Sequence, residues 1–514
     1  MSRGILYTCD LICYGVASPV AFQDYISFLE KHSGKVVKQY IHRGFGLKTG
    51  EGAKIVYEDG TVEQDTLETN LWSRLWYHYL VRESCYSCKY HSLDRPGNIT
   101  IGDYWGVEKV LPGLKDEWGV SCILVNDEQG LALLDQAKEH LELHKTSVSD
   151  VANAAQPMLF KQPEDDRQNI FWKAYDKGGF EGACASLGFL SRKKSFEEIR
   201  RIVKSIAKRI AERMVKQIVK RKAPMAPRSF ASALREKASV NGEVRNNELK
   251  EARKGVGDFK NGDGSSERDN EKSECSNEPS EVSRQGNFPL AYAAKHSSEA
   301  TRKQSSSGGV FYALAQTVIN QGGVVYGCAF DENHKAQHIR CETMDEAVRC
   351  MGSKYSQSDL GDSLEKVNED INAGRNVLFT GTPCQIAAVR IVCEKRKISE
   401  PFSKYKVADI SDVGNESDTG NTGNEGDTDN SGNESGTGSS SCEETLNTII
   451  PELFSGPNKC CGCMACSALC PMGAIEMRPD SKGFMYPYIN SSLCTGCMKC
   501  ERSCSFKVHS SSNI

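Results

Sequence analysis

One pattern of four cysteines occurs twice near the C-terminal end of the chain, and it constrains the fold more than any other feature. The first copy is Cys460, Cys463, Cys466 and Cys470, followed by Pro471; the second is Cys494, Cys497, Cys500 and Cys504, followed by Ser505. Both read C-x2-C-x2-C-x3-C, a spacing that lets three thiolates of one short loop reach three irons of a single 4Fe–4S cube. The fourth cysteine of each run ordinarily ligates the other cube. The spacing therefore predicts one cluster on Cys460, Cys463, Cys466 and Cys504, and a second on Cys494, Cys497, Cys500 and Cys470. A pair of zinc knuckles is the competing reading, but zinc prefers two separated C-x2-C pairs, and neither run has that form. Cys461 is a spare thiol beside the first ligand. Such a segment carries electrons.

The rest of the composition agrees with that chemistry. Twenty-two cysteines in a secreted protein would suggest disulfides, but eight of them sit in runs that need reduced thiolates. At 514 residues the chain has room for about three domains, and a net charge of -4 gives no basic field for nucleic acid. The apolar stretch Ile5 to Val16 is short and interrupted by Asp10, which fits a strand better than a signal peptide. No run reaches the roughly eighteen apolar residues of a membrane span. The expectation is a soluble protein of a low-oxygen cytoplasm.

Composition divides the chain further. Residues 1–191 are globular in character and hold all five Trp. Residues 192–222 form a basic amphipathic pattern, with Ile199, Ile202, Val203, Ile206, Ile210, Met214, Val215 and Ile218 at helical spacing. The pattern suits a solvated helix packed on its parent domain, or an in-plane contact with anionic lipid or a redox partner. Residues 223–285 are polar and predicted disordered, 286–411 globular again, 412–455 a low-complexity linker, and 456–508 the cysteine-rich module.

The middle segment reads as α/β. Leu290 to Lys295, Val324 to Phe330 and Asn376 to Phe379 are expected strands, and Gly308 to Asn320 and Glu365 to Ala373 are expected helices. The first of these helices shows Phe311, Leu314, Ala315 and Val318 on one face. Loops at the carboxyl ends of strands are where such folds bind phosphates and cofactors. Three candidates stand out: Ser305-Ser306-Ser307-Gly308-Gly309, Lys354-Tyr355 with Ser358, and Thr380-Gly381-Thr382 with Gln385. Taken singly, each also reads as an ordinary cap or turn. In the first segment Leu6 to Cys13 and Ile99 to Ile101 are expected strands and Leu67 to Val81 a helix. Cys85 and Cys88 form one C-x2-C pair, which alone fits zinc, a dithiol or half a cluster. With Cys13 and Cys384 they would complete a third four-cysteine site. Cys384 at a helix start also reads as a redox or nucleophilic thiol.

Five longer motifs carry a resemblance. SSSGGVFYALA, GSKYSQSDLG, LFTGTPCQIA, DLICYGVASP and CYSCKYHSLDRPGNITIGDYWG together resemble the coenzyme F(420) hydrogenase/dehydrogenase beta-subunit family over residues 5–190 and 289–395, with a ferredoxin module as accessory. The resemblance implies an α/β catalytic unit in two segments plus a small α+β bacterial-type ferredoxin domain. It also implies FAD cradled by Ser305–Gly309, Lys354–Ser358 and Thr380–Gln385, and an inner 4Fe–4S cluster on Cys13, Cys85, Cys88 and Cys384. Family members run ferredoxin module, SSSGG domain, then DLICYG domain; this chain has the reverse order.

Two function classes follow. One is an FAD and iron–sulfur oxidoreductase joining a two-electron small-molecule substrate to one-electron carriers. The other is a non-catalytic relay subunit of a larger redox complex. Deazaflavin, nicotinamide and pigment substrates are equally compatible with the motifs. In either class the two segments are expected to dock despite the reversed order. Linkers of about sixty and about forty-five flexible residues reach roughly 45 and 37 Å, ample beside a domain radius of gyration near 13 Å. Lys404 to Ile410 resembles the lead-in to strand Leu6–Cys13 and would be its competitor for one position in the sheet.

Overall fold

The computed structural model describes residues 3–48, 52–153, 156, 159, 166–190, 288–397 and 449–507. The basic stretch 192–222, the segment 223–285, Lys404 to Ile410 and most of the second linker lie outside the described residues. In chain order the strands of the first segment are β1 (Leu6–Leu11), β2 (Val37–Ile41), β3 (Lys54–Tyr57), β4 (Val62–Gln64), β5 (Ile99–Asp103), β6 (Ser121–Val125) and β7 (Leu141–Thr146). Those of the second are β8 (Leu290–His296), β9 (Val324–Phe330), β10 (Ala336–Cys341) and β11 (Val377–Gly381), and the C-terminal module adds β12 (Ile475–Pro479) and β13 (Met485–Ile489).

Eight strands from the two segments form one mixed sheet in the order β10-β9-β11-β1-β5-β6-β8-β7. β9, β11, β1 and β5 run parallel, and the outer strands pair antiparallel. The segments interleave: β1 lies between β11 and β5, and β8 lies between β6 and β7. β8 pairs only with strands of the first segment, and β1 joins the two segments by pairing with β11 on one side and β5 on the other. β1 is buried on both faces (Tyr7, Thr8, Cys9 and Asp10), as a central parallel strand must be. Its one carboxylate is paired: Arg95 Nη2 donates to Asp10 Oδ1 at 2.6 Å and Gly97 N to Oδ2 at 2.9 Å. Asp10 therefore fixes the Cys85–Gly97 segment over the strand.

Period-two alternation sends side chains to two cores. On one face Val325 and Leu378 pack with helices Glu128–Ala137 and Val310–Asn320; on the other Val324, Tyr326, Val377 and Phe379 pack with helices Ser363–Asn372 and Pro383–Lys397. Val310, Leu314 and Val318 of the second helix are each buried, worth about 1.5–3 kcal/mol apiece. They pack on strands of both segments, so their burial depends on docking. Helix Pro19–Ser33, helix Leu71–Tyr79 and the small sheet β2-β3-β4 build a separate aromatic cluster around Phe22, Tyr25 and Trp72.

The C-terminal module is a hairpin, β12 against β13, flanked by the single-turn helices Ala465–Ala468 and Lys499–Arg502. Leu453 and Phe454 pack into its core with Ile475 and Cys500, so its packing begins a few residues before the expected boundary at 456. Among the described residues no helix is long and apolar enough to cross a membrane.

Candidate iron–sulfur and flavin site

The two cysteine runs fold alike. Each follows Cys-x-Gly-Cys-Met-x-Cys, and Gly462 and Gly496 share φ 66° while Met464 and Met498 stand at 64° and 56°. Methionine in the left-handed region is uncommon and strained; here it turns successive thiols inward. Cys460, Cys463, Cys466 and Cys504 line one cavity, and Cys470, Cys494, Cys497 and Cys500 line another. The crossing of the fourth cysteine is thus present in the geometry. Gly462 N donates to Cys460 Sγ at 3.4 Å and Ala474 N to Cys470 Sγ at 3.2 Å. Burial pushes the Cys466 thiol up to about 12, helped by repulsion from Cys460 and Cys504.

A second gathering of thiols forms at the carboxyl ends of β1 and β11. These strands are parallel neighbours, with Asp10 opposite Gly381, so the turns that follow bring Cys13 beside Cys384. Cys85 and Cys88 arrive from the 3-10 turn Glu83–Ser87. The approach is close: a Cβ on Gly15 would stand 2.6 Å from Val81 Cγ1 and 3.2 Å from Cys85 Cβ. The four thiols lie within electrostatic range of one another. Burial, then mutual repulsion, raises Cys85 to about 12 and Cys88 to about 11. Cys384 is raised well above its ordinary value, first by a hydrogen bond with Cys461 and then by burial. The Cys461 contact and burial thus oppose the lowering that a helix start gives a thiol.

Among the described residues no three His, Cys, Asp or Glu side chains close around the position of a single metal ion. A cube needs its thiolates farther apart, because each binds a different iron. Sets of four soft thiols suit a 4Fe–4S cluster in donor chemistry.

Arg82 joins the module to the sheet. It is fully buried; Nε donates to Cys460 O at 2.9 Å, Nη2 to Met485 O at 3.0 Å and Nη1 to Gln357 Oε1 at 2.9 Å. Its guanidinium lies over Tyr486 at 4.2 Å. Around it, Ser18 Oγ donates to Lys482 O, Lys89 Nζ to Ser505 O and Arg396 Nη2 to Ala468 O. Ala465 is buried against the sheet core. The cavity of Cys460, Cys463, Cys466 and Cys504 therefore borders the Cys13–Cys384 gathering, with Cys461 reaching between them.

The three glycine- and hydroxyl-bearing loops lie along the same edge of the sheet, since Asp103 pairs with Ser121 and Ser121 with Ala294. Gly308 N donates to Ser121 Oγ at 3.0 Å, and a Cβ there would meet Ala294 O at 2.3 Å. Gly309, at φ 88°, caps helix Val310–Asn320. Ser305 Oγ donates to Thr301 O, Ser306 is partly buried, and Ser307 Oγ is a buried hydroxyl with no partner in the protein. That orphan hydroxyl at a helix N-terminus suits an anionic oxygen of a dinucleotide.

Lys354 Nζ donates to Arg349 O and Met351 O. Tyr355 packs on Trp76 and His42, each at 4.5 Å between ring centroids. A loop absent from the sequence expectations ties these elements together: Phe45 N donates to Gln304 O, Gly46 N to Lys303 O, and Arg43 pairs with Asp103. Thr380 Oγ1 donates to Tyr326 O, and Gly381 ends β11. Thr382 N and Oγ1 both donate to Gln385 Oε1 at 3.0 Å. Gln385 Nε2 donates to Ser358 Oγ at 2.9 Å, which meets His338 Nδ1 at 3.2 Å, and His338 Nε2 meets Thr380 O at 3.0 Å. Thr382, Gln385 and Ser358 thus satisfy one another directly, and His338 ties Ser358 to the Thr380 carbonyl. Arg43, Arg82 and His338 carried no sequence signal, because nothing local marks a buried polar residue.

Parallel strands with thiols at their carboxyl edge, joined to a module with two four-thiol cavities, have the donor chemistry of an iron–sulfur electron-transfer protein. Residues 1–151 match the family model for the C terminus of the coenzyme F420 hydrogenase/dehydrogenase beta subunit, and residues 459–508 match the 4Fe–4S dicluster domain. No curated protein and no solved structure matches the chain.

Proposed function

We propose that the protein is a flavin- and iron–sulfur-dependent oxidoreductase that passes electrons between 4Fe–4S clusters and a two-electron substrate. The observation that carries this reading is the meeting of Cys13, Cys85, Cys88 and Cys384, drawn from both segments, against Cys461 of the first cysteine run. On this reading Cys460, Cys463, Cys466 and Cys504 hold one cube, Cys494, Cys497, Cys500 and Cys470 a second, and the inner four thiols a third. Ser305–Gly309, Lys354–Ser358 and Thr380–Gln385 would hold FAD. FAD held there would supply hydride chemistry toward the substrate and one-electron chemistry toward the clusters. The chain's own residues fix the spacing: Arg82 holds the module on the sheet, and Asp10 with Arg95 holds the Cys85–Cys88 turn over β1. A soluble carrier or redox partner and a small-molecule substrate complete the circuit.

The test is anaerobic purification, flavin extraction and mixing with a chemically reduced viologen dye. About one FAD per chain, bleached by the dye, is expected. Clusters without extractable flavin would instead mark a relay subunit.

A further inference from the structure

Three cysteines outside every cluster site gather at Cys350, which lies beside Lys354. Cys341 ends β10, and Cys350 follows the short helix Met344–Val348; their sulfurs lie 3.9 Å apart. Cys350 packs directly over β9, where a Cβ on Gly327 would stand 2.9 Å from both its Cβ and its Sγ. Cys328, on the same strand, is within electrostatic range of Cys350. Lys354 Nζ is held at 3.0 and 2.7 Å from Arg349 O and Met351 O, the carbonyls on either side of Cys350. Lys354 is thereby fixed beside the thiol, where its charge favours the thiolate without outweighing Cys341 and burial, which hold Cys350 well above its ordinary value; access alone therefore selects the attacking thiol.

We propose that Cys341 and Cys350 form a redox-active dithiol, which a low-molecular-weight disulfide oxidises to an intrachain disulfide. Cys350 is the partly exposed member and Cys341 the fully buried one, so the order of steps follows from access. The Cys350 thiolate attacks one sulfur of the external disulfide, forming a mixed disulfide and releasing one thiol. Cys341 then attacks Cys350 Sγ and releases the second thiol. Two protein thiols and one external disulfide thus become one protein disulfide and two external thiols. Protein sulfur–sulfur bonds measure about 2.0 Å, so closure needs a side-chain rotation of about that scale and no rearrangement of strands. The bond would tie β10 to the start of the Lys354 loop. The proposal stands whether or not that loop binds flavin.

Trypsin provides a clean reading. Cleavage after Arg340, Arg349 and Lys354 puts Cys341 and Cys350 on separate peptides, 341–349 and 350–354. The anaerobic, cluster-loaded protein is exposed to glutathione disulfide, alkylated, digested and analysed by mass spectrometry, with iron measured in parallel. Expected is a linked 341–349/350–354 species at unchanged iron content, removed by dithiothreitol. In Cys341→Ala the link is lost and a glutathione adduct stays on Cys350. Should that variant lose iron, Cys350→Ser, at the partly exposed position, is the second control, and it should carry no adduct at Cys341. Full alkylation of both thiols, a lasting adduct on wild-type Cys350, or a link from Cys350 to Cys328 would each overturn the proposal.

Discussion

His42 and His338 are held neutral by burial, which pushes each down to about 4 from an ordinary 6.5. The unfolded chain protonates them near pH 6.5 while the folded chain resists until about pH 4. Their contribution to stability is therefore present above 6.5 and lost as pH falls toward 4. Between pH 7 and pH 5 the loss is about 2 kcal/mol per histidine. Urea unfolding midpoints at the two pH values check this; a midpoint unchanged or higher at pH 5 would mean that these rings take protons in the fold. At this scale the sequence is uneven to read. The eight cysteines of the two runs are legible because three of each four ligands are set by covalent spacing. Arg82 is not, because an arginine three residues before Cys85 looks the same in sequence whether it faces solvent or lies under Tyr486.

Elements followed periodicity where a helix or strand buries a single face. The helix expected at Gly308–Asn320 begins at Val310, since Gly309 takes a left-handed φ of 88° that ends the preceding turn. Phe311, expected on its apolar face, is only partly buried, while Val310 and Ala313 take the core positions. Leu67–Val81 shortens to Leu71–Tyr79, and β1 stops at Leu11, leaving Cys13 in the turn. β2, β3 and β4 escaped notice because they are short and belong to a small sheet outside the main one. The contact between module and sheet is equally invisible to periodicity, and Arg82 is a fully buried member of it. Arg82→Met keeps the aliphatic stem but leaves three acceptors without their charged donor. Each such bond is worth about 1.5–3 kcal/mol, so docking should weaken by about 3 kcal/mol or more. Amide hydrogen exchange over Cys460–Met485 should quicken in the variant with the sheet unaffected. Unchanged exchange would mean that the surrounding contacts suffice.

Across the whole molecule, reversed segment order does not prevent a shared sheet. β1 holds the position between β11 and β5, and β8 crosses into the first segment's strands. Order along the chain matters little here, because closure entropy grows only with the logarithm of linker length while the sheet is held by many buried residues. The interleaving could not be read from sequence: pairing partners hundreds of residues apart leave no local trace. What the sequence did carry was the motif set, and its cysteines from both segments meet at one edge. That meeting of cysteines from both segments is the feature on which a third cluster depends. Its most direct test is iron per chain in the anaerobically reconstituted protein beside its Cys384→Ser variant. Three cubes predict about twelve irons in the parent and about eight in the variant, with the C-terminal clusters retained. About eight in both would contradict a cluster shared between the two segments.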